Sequence, residues 1–492
     1  CSGHRGAKGA SGRAWLAAWQ SGNVEGLCDL RRARRWESTF PAGGSLRALM
    51  MLSDRSQLVQ GCDKGSNHNT IDCYAYKPIS TSPENQNIDG ETGAPPLLAD
   101  EGSSKLVKPE ARACSLRREC QGFCNIVCTW TNLLLVFVPL GIVSHRLRWS
   151  SAAIFSCNFA AIVPLAGILG AATESLAMHT GQMIGGLLNA SFGNAVEMIV
   201  AVQAIRAGLI SVVKGSLLGS ILSNLLLVLG MSFFAAGVVQ KETFFNAAGA
   251  ATNTSCLVLG AVALALPTLY DFVPGTNDSD CLDISRISSV VIAVIYVLFI
   301  VFQLFTHASY FSSGDGEEEE EEAELSAVSS LLLLMASTCI VAYCSEFLVD
   351  SIEGVSEEYG MPKAFIGVIL LPIVGNAAEH VTSVTVAAKG KMDLALGVAV
   401  GSSTQIILLV VPFAVIVGWV VDTPMTLDFR VFDATVLLLS VFLVSSVLND
   451  GRSNWLEGVM LCATYVLIAV ICWYIPDEHD EVRPLASRHH DL

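Results

Sequence analysis

The sequence predicts an all-α polytopic membrane protein with about eleven transmembrane helices: one extra helix, then two inverted repeats of five. Three observations carry this. Of 492 residues, 52% are hydrophobic and 15% charged, with mean hydropathy +0.53, whereas soluble proteins carry about 25% charged residues. From about residue 129, apolar segments follow one another with mostly short connections, and a span needs about 20 apolar residues. Finally, Gly193-Asn194-Ala195-Val196-Glu197 returns as Gly375-Asn376-Ala377-Ala378-Glu379. At the same offset of 182 residues, Gly215, Gly219 and Ser220 fall on Gly397, Gly401 and Ser402 without a gap.

Residues 1–125 read as a polar, disordered cytosolic tail, rich in Gly, Ser, Arg and Pro. The sequence starts at Cys1 and its first methionines are Met50 and Met51, so 1–49 are expected to be a piece of a longer chain or an extension foreign to the native protein. No basic start followed by an apolar core and small-residue cleavage site marks a secretory signal. The Gly9-Ala10-Ser11-Gly12 string resembles an intramembrane protease motif but lies in this polar tail. Fifteen cysteines are scattered. The one cluster, Cys114, Cys120, Cys124 and Cys128, lacks zinc-site spacing; reduced thiols, or acylation sites beside the membrane, suit it.

The expected spans are 129–147, 151–173, 181–206, 209–236, 245–270, 286–307, 327–351, 363–388, 393–420, 430–449 and 454–475. This divides the chain into a first transmembrane helix (126–150), a five-helix repeat (151–307), an acidic linker (308–326), a second five-helix repeat (327–475) and a polar C-terminal tail (476–492). Five crossings per repeat set the halves in opposite orientations, the plan of many secondary transporters, whose sites lie at the repeat interface near the bilayer midplane. Counting Lys and Arg on the two sides gives nine against seven, so the positive-inside rule leaves orientation open. The sequon Asn277-Asp278-Ser279 is compatible with a cytosolic N-terminus.

An ionisable residue inside a membrane span is costly and marks a functional site by default. Glu197 and Glu379 are two such residues, one per repeat. Asn194 lies three residues before Glu197, and Asn376 three before Glu379, so each pair shares a helix face. The neighbouring spans offer Ser220 and Ser223 in one half, Ser402 and Gln405 in the other. Gly193 and Gly375 permit close backbone approach or a break that frees carbonyls. Small residues in membrane helices commonly serve packing, and a single intramembrane glutamate can be a structural partner. Two symmetric glutamates with symmetric amide and hydroxyl neighbours favour a cation site. Carboxylates, amides and hydroxyls together suit a hard divalent cation, which takes about 6–8 oxygen ligands. Two facing carboxylates without a cation are expected to hold protons, and an arriving metal displaces them. A site that holds either, open to each side in turn, is a cation/proton antiporter.

Other titratable residues are placed to carry ions or protons. Glu174 ends the second span, Glu346 and Asp350 share a face of the seventh, and His380 follows Glu379. Asp315 with Glu317, Glu318, Glu319, Glu320, Glu321, Glu322 and Glu324 forms an acidic run between the repeats. It reads either as a solvated linker or as a cation-attracting or regulatory helix. It also contributes to the net charge of −16, which argues against nucleic acid as a partner. The expected partners are the lipid bilayer and a divalent cation substrate, with no cofactor; the sequence leaves the oligomeric state open.

With these residues in view, the chain resembles the cation/proton exchanger (CAX) family, vacuolar calcium/proton antiporters of plants, fungi, protists and some bacteria. The resemblance covers about 125–475. It rests on Gly193–Glu197, Gly219-Ser220-Ile221-Leu222-Ser223-Asn224, Gly375-Asn376-Ala377-Ala378-Glu379-His380 and Gly401-Ser402-Ser403-Thr404-Gln405. It implies that Glu197 and Glu379 bind the cation, with Asn194, Asn376, Ser220, Ser402 and Gln405 around them. It further implies that Glu174, Glu346 and Asp350 line portals, that the acidic run forms a cytosolic helix, and that the membrane is vacuolar. Calcium is the implied substrate and manganese suits the same oxygens. The rivals are a sodium-driven calcium exchanger and a cation channel. An intramembrane enzyme finds no His-Glu-x-x-His or embedded Ser/His pair in the sequence.

Overall fold

The computed structural model describes residues 119–127, 129–271, 273–311, 323 and 325–476. The 1–118 part of the expected tail, the acidic run Asp315 and Glu317–Glu324, and 477–492 lie outside the described residues. So do Cys114 and Cys128; Cys120 and Cys124 are free and exposed.

The described chain is almost entirely helical. In order come α1 (Phe137–Arg146), α2 (Ser151–Phe192), α3 (Ala195–Arg206), α4 (Ile210–Val239), α5 (Ala247–Asp271) and α6 (Asp278–Val301). After the acidic linker follow α7 (Ala327–Asp350), α8 (Lys363–Gly375), α9 (Ala377–Ala388), α10 (Met392–Val420), α11 (Val431–Leu448) and α12 (Trp455–Tyr474). Two short strands, β1 (Thr243–Phe244) and β2 (Arg452–Ser453), pair antiparallel and tie the loop after α4 to the loop after α11.

Eight helices among the described residues are long and apolar enough to cross a membrane, or up to ten when each of two bent pairs counts as one span. This is fewer than the eleven expected. The expected span 181–206 is not among the helices that qualify: it breaks at Gly193-Asn194, as the expected span 363–388 breaks at Gly375-Asn376.

The expected gap between 173 and 181 is also helical, because 174–180 contain neither glycine nor proline. The axis nevertheless turns sharply there. A Cβ placed on Gly185 would lie 2.5 Å from the Ala177 carbonyl oxygen. A straight helix would separate these residues by about 12 Å along its axis. The matching join in the second half has clear breakers, Gly360 in a left-handed conformation and Pro362 just before α8.

The core runs through α4 and α10. The apolar stretch of each is 67% buried within the protein, against 22% for the span containing α6, so the two repeat-mate helices occupy the centre and α6 faces outward. Each central helix contains a wide π-turn at a matching place, 223–228 in α4 and 406–410 in α10. Such turns often accompany functional sites. Here each begins beside the polar residues of the site.

Candidate cation site

The two Gly-Asn-x-x-Glu segments interrupt their helices in the same way. Asn194 is the N-cap of α3 and Asn376 that of α9; neither side chain caps its own helix. The chain leaves the helical conformation at each Asn, Asn194 at φ −106° and ψ 25° and Asn376 at φ −89° and ψ 11°. α8 and α9 consequently meet at a bend of 57°. Glu197 and Glu379 then lie in the first turn of α3 and α9, where the positive end of a half-helix faces the centre.

The freed amide side chains reach across to the other repeat. Asn194 Nδ2 donates to Gln405 Oε1 at 2.9 Å, and Ser402 Oγ donates to Asn194 Oδ1 at 3.2 Å. Asn224 Nδ2 donates to Glu379 Oε2 at 2.6 Å and to Ser402 Oγ at 3.1 Å. Asn376 Nδ2 donates to the Ser220 carbonyl at 3.3 Å. His380 Nε2 lies 3.4 Å from Ser223 Oγ. All of these join one half to the other. Gly375 belongs to the same seam: a Cβ there would stand 2.8 Å from Glu197 Oε1, so the carboxylate packs against this backbone and a larger residue would displace it.

Asn194, Asn224 and Asn376 are buried, with 1%, 0% and 1% of their surface exposed. Asn224 Oδ1 and Asn376 Oδ1 have no hydrogen-bond partner. The Asn376 orientation is fixed by chemistry, since the Ser220 carbonyl only accepts and so requires the nitrogen; Asn224 presents its nitrogen to Glu379 when that carboxylate is ionised. The oxygens are left as unpaired acceptors beside the two glutamates. Buried polar groups are almost always satisfied, so this pair calls for a positively charged or hydrogen-bonding guest. A small cavity, with about 20 Å³ of room for a water-sized body, lies against Glu197, Ser216, Ser220 and Gly375. That is enough for one such body.

The other expected residues fall differently. Ser220 lines this cavity and offers its backbone carbonyl to Asn376. Gly193 lies at the break before α3 but is exposed, and a Cβ there would meet only the Asn189 carbonyl one turn back. His380 Nδ1 lies 2.6 Å from the Asn376 carbonyl, at the rim. Glu174, Glu346 and Asp350 are exposed, and none lines the cavity at Glu197. Asn224 is the residue whose place at the centre the spacing did not give. Its repeat mate is Ile406, so symmetry hides it. The signal was an amide within the apolar run Ile221–Leu229.

A model of the sodium/calcium exchanger protein family matches residues 150–305 and 329–474. A vacuolar calcium ion transporter of Schizosaccharomyces pombe is 43% identical over 355 residues, covering 71% of this chain and 86% of that one. A Ca(2+)/H(+) antiporter of Aphanothece halophytica is 42% identical over 357 residues, covering 70% and 96%. The solved structure of native YfkE is 37% identical, with a TM-score of 0.61, covering 70% of this chain and 100% of that one. The chain belongs to the sodium/calcium exchanger protein family, as a member of its cation/proton exchanger group.

Proposed function

We propose that the protein is a secondary antiporter that exchanges protons for calcium, with manganese as a further cargo, and moves the divalent cation from the cytosol into an acidic store such as a vacuole. The observation that carries this reading is the inter-repeat seam. Two carboxylates, two unpaired amide oxygens and the surrounding hydroxyl and carbonyl oxygens form an all-oxygen site of the kind hard divalent cations prefer. Glu197 and Glu379 hold the cation, and Asn224 and Asn376 add neutral oxygens. Asn194, Ser402 and Gln405 orient the pair across the interface. When the cation leaves, the same carboxylates take protons, because two bare charges in a membrane interior repel. The names of the relatives support calcium as cargo, protons as the counter-ion and the vacuole as the membrane.

The two repeats pack differently around matching glycines in this conformation. Gly215 of α4 packs on Gly367 of α8, while its repeat mate Gly397 has nothing within 4 Å of a Cβ. This supports alternating access, in which the halves exchange their packing. In sealed proteoliposomes with the membrane potential clamped, an inward-acid pH gradient is expected to drive calcium uptake. Uptake that ignores the pH gradient but follows a sodium gradient would replace this reading by a sodium-driven exchanger.

A further inference from the structure

A second cavity, larger than the one at Glu197, lies among the start of α5, the end of α6 and the first half of α10. It offers about 120 Å³ and is lined by Asn246, Asn253, Gln303, Asp393, Gly401 and Gln405, among others. Three features separate it from an ordinary packing gap. Its wall is rich in polar groups although α5 and α10 are otherwise apolar. Asn253 is only 8% exposed, and its Oδ1 has no hydrogen-bond partner. Asp393 supplies a carboxylate at the start of α10. One of its oxygens accepts from the Asn246 backbone N–H at 2.6 Å, and the other makes no hydrogen bond among the described residues.

The recess borders the site through one side chain. Gln405 lines it, and the Gln405 Oε1 atom receives the Asn194 side chain of the glutamate seam at 2.9 Å. The wide turn Gly397–Gly401 runs along its wall, and neither glycine has an atom within 4 Å of a Cβ position. A carboxylate at one end, an unpaired buried amide oxygen between, and a shared glutamine at the other form a graded series of oxygen ligands.

We propose that this recess is a second cation site, a staging position where a partly hydrated divalent cation binds before passing Gln405 to reach Glu197 and Glu379. The assignment rests on the transport reading above. Asp393 captures the ion, Asn253 replaces part of its water shell, and Gln405 hands it on by exchanging its bond to Asn194 for the ion. With one carboxylate against two, the recess binds more weakly than the centre, as a position that must release its ion requires.

The test uses the full chain in sealed vesicles sorted for one orientation. Asp393→Asn keeps a hydrogen-bond acceptor for Asn246 but removes the charge, and Asn253→Leu removes the amide oxygen. Each is expected to raise the calcium KM about tenfold when calcium is offered on the Asp393 face, and to leave it within about twofold on the opposite face. An unchanged KM on the Asp393 face, or an equal rise on both faces, would overturn the proposal. A second readout does not depend on transport. Val400 lines the recess, so the Val400→Cys variant is expected to react with a small thiol reagent and to be protected by calcium, at a concentration that Asp393→Asn raises. Absence of calcium protection overturns the staging site even if exchange is normal. Wild-type vesicles that fail to exchange, yet show protection, speak against the antiport reading and not against the recess.

Discussion

The two repeats carry the same glycines on their central helices but use them differently. In α4, Gly215 and Gly219 are pressed against α8: a Cβ on Gly215 would lie 3.4 Å from Gly367 backbone, and one on Gly219 would run into the Val368 carbonyl oxygen. In α10, the mates Gly397 and Gly401 face open space and border the recess. The partners are matched as well. Ile366-Gly367 of α8 corresponds to Ile184-Gly185 of α2 at the 182-residue offset, yet Gly185 lies against Ala177. Lys214 accentuates the difference. Its ammonium donates to Thr426 Oγ1 at 2.9 Å and to the Asp428 carbonyl, fastening the start of α4 to the loop before α11. Its mate Leu396 lines the recess instead. A sequence repeat therefore encodes one contact twice, while a single conformation makes it in one half. The glycines of α10 are spare packing surfaces, suited to the opposite conformation.

If the halves share one site, their glutamates are equivalent despite this difference in packing. Glu197→Gln and Glu379→Gln are each expected to lower exchange by about 100-fold or more, since either leaves a divalent ion with a single buried carboxylate. Normal turnover in either variant, measured as initial calcium uptake, would separate the halves and dissolve the shared site.

The glycine mates should respond oppositely. Gly219→Val crowds this conformation, at a cost of about 1–3 kcal/mol, while Gly401→Val is accommodated here and obstructs the alternative packing. Both slow turnover, about tenfold, but thiol labelling at Val400→Cys is expected to fall with Gly219→Val and to rise with Gly401→Val. Labelling that moves the same way in both would reduce these glycines to ordinary packing residues.

A smaller difference is expected between the two amides that break the symmetry. Asn224→Ala strips Glu379 of its donor and removes an unpaired oxygen, and should weaken calcium binding about tenfold. Gln405→Ala leaves Asn194 bonded to Ser402, and equilibrium calcium affinity should change by no more than about threefold. Calorimetric titration of the purified variants distinguishes them; a greater loss for Gln405→Ala would invert the assigned roles.

What was legible in the sequence follows from the cost of polar groups in apolar surroundings. Glu197, Glu379 and their asparagines stand out because they repeat and because a membrane span does not carry them without reason. The break at each Gly-Asn pair was readable from residue type. The span 181–206 is no single straight helix, because the break that builds the site also shortens the helices on either side of it. Asn224 was obscured by its apolar mate Ile406. The recess was invisible for another reason: Asn246, Asn253, Gln303 and Asp393 come from three separate helices or their ends, and no spacing rule gathers residues that only packing brings together. Glu174, Glu346 and Asp350 were legible as charges within or beside the spans; they lie on the exposed surface of the protein, away from the cavity at Glu197.

The central claim is that the two repeats contribute halves of one cation site. Calcium titration of the purified protein by calorimetry, in two buffers of different ionisation enthalpy, tests it most directly. One high-affinity site per chain is expected, with proton release on binding and loss of that site in Glu197→Gln and in Glu379→Gln alike. Two high-affinity sites, with one surviving in each variant, would contradict it.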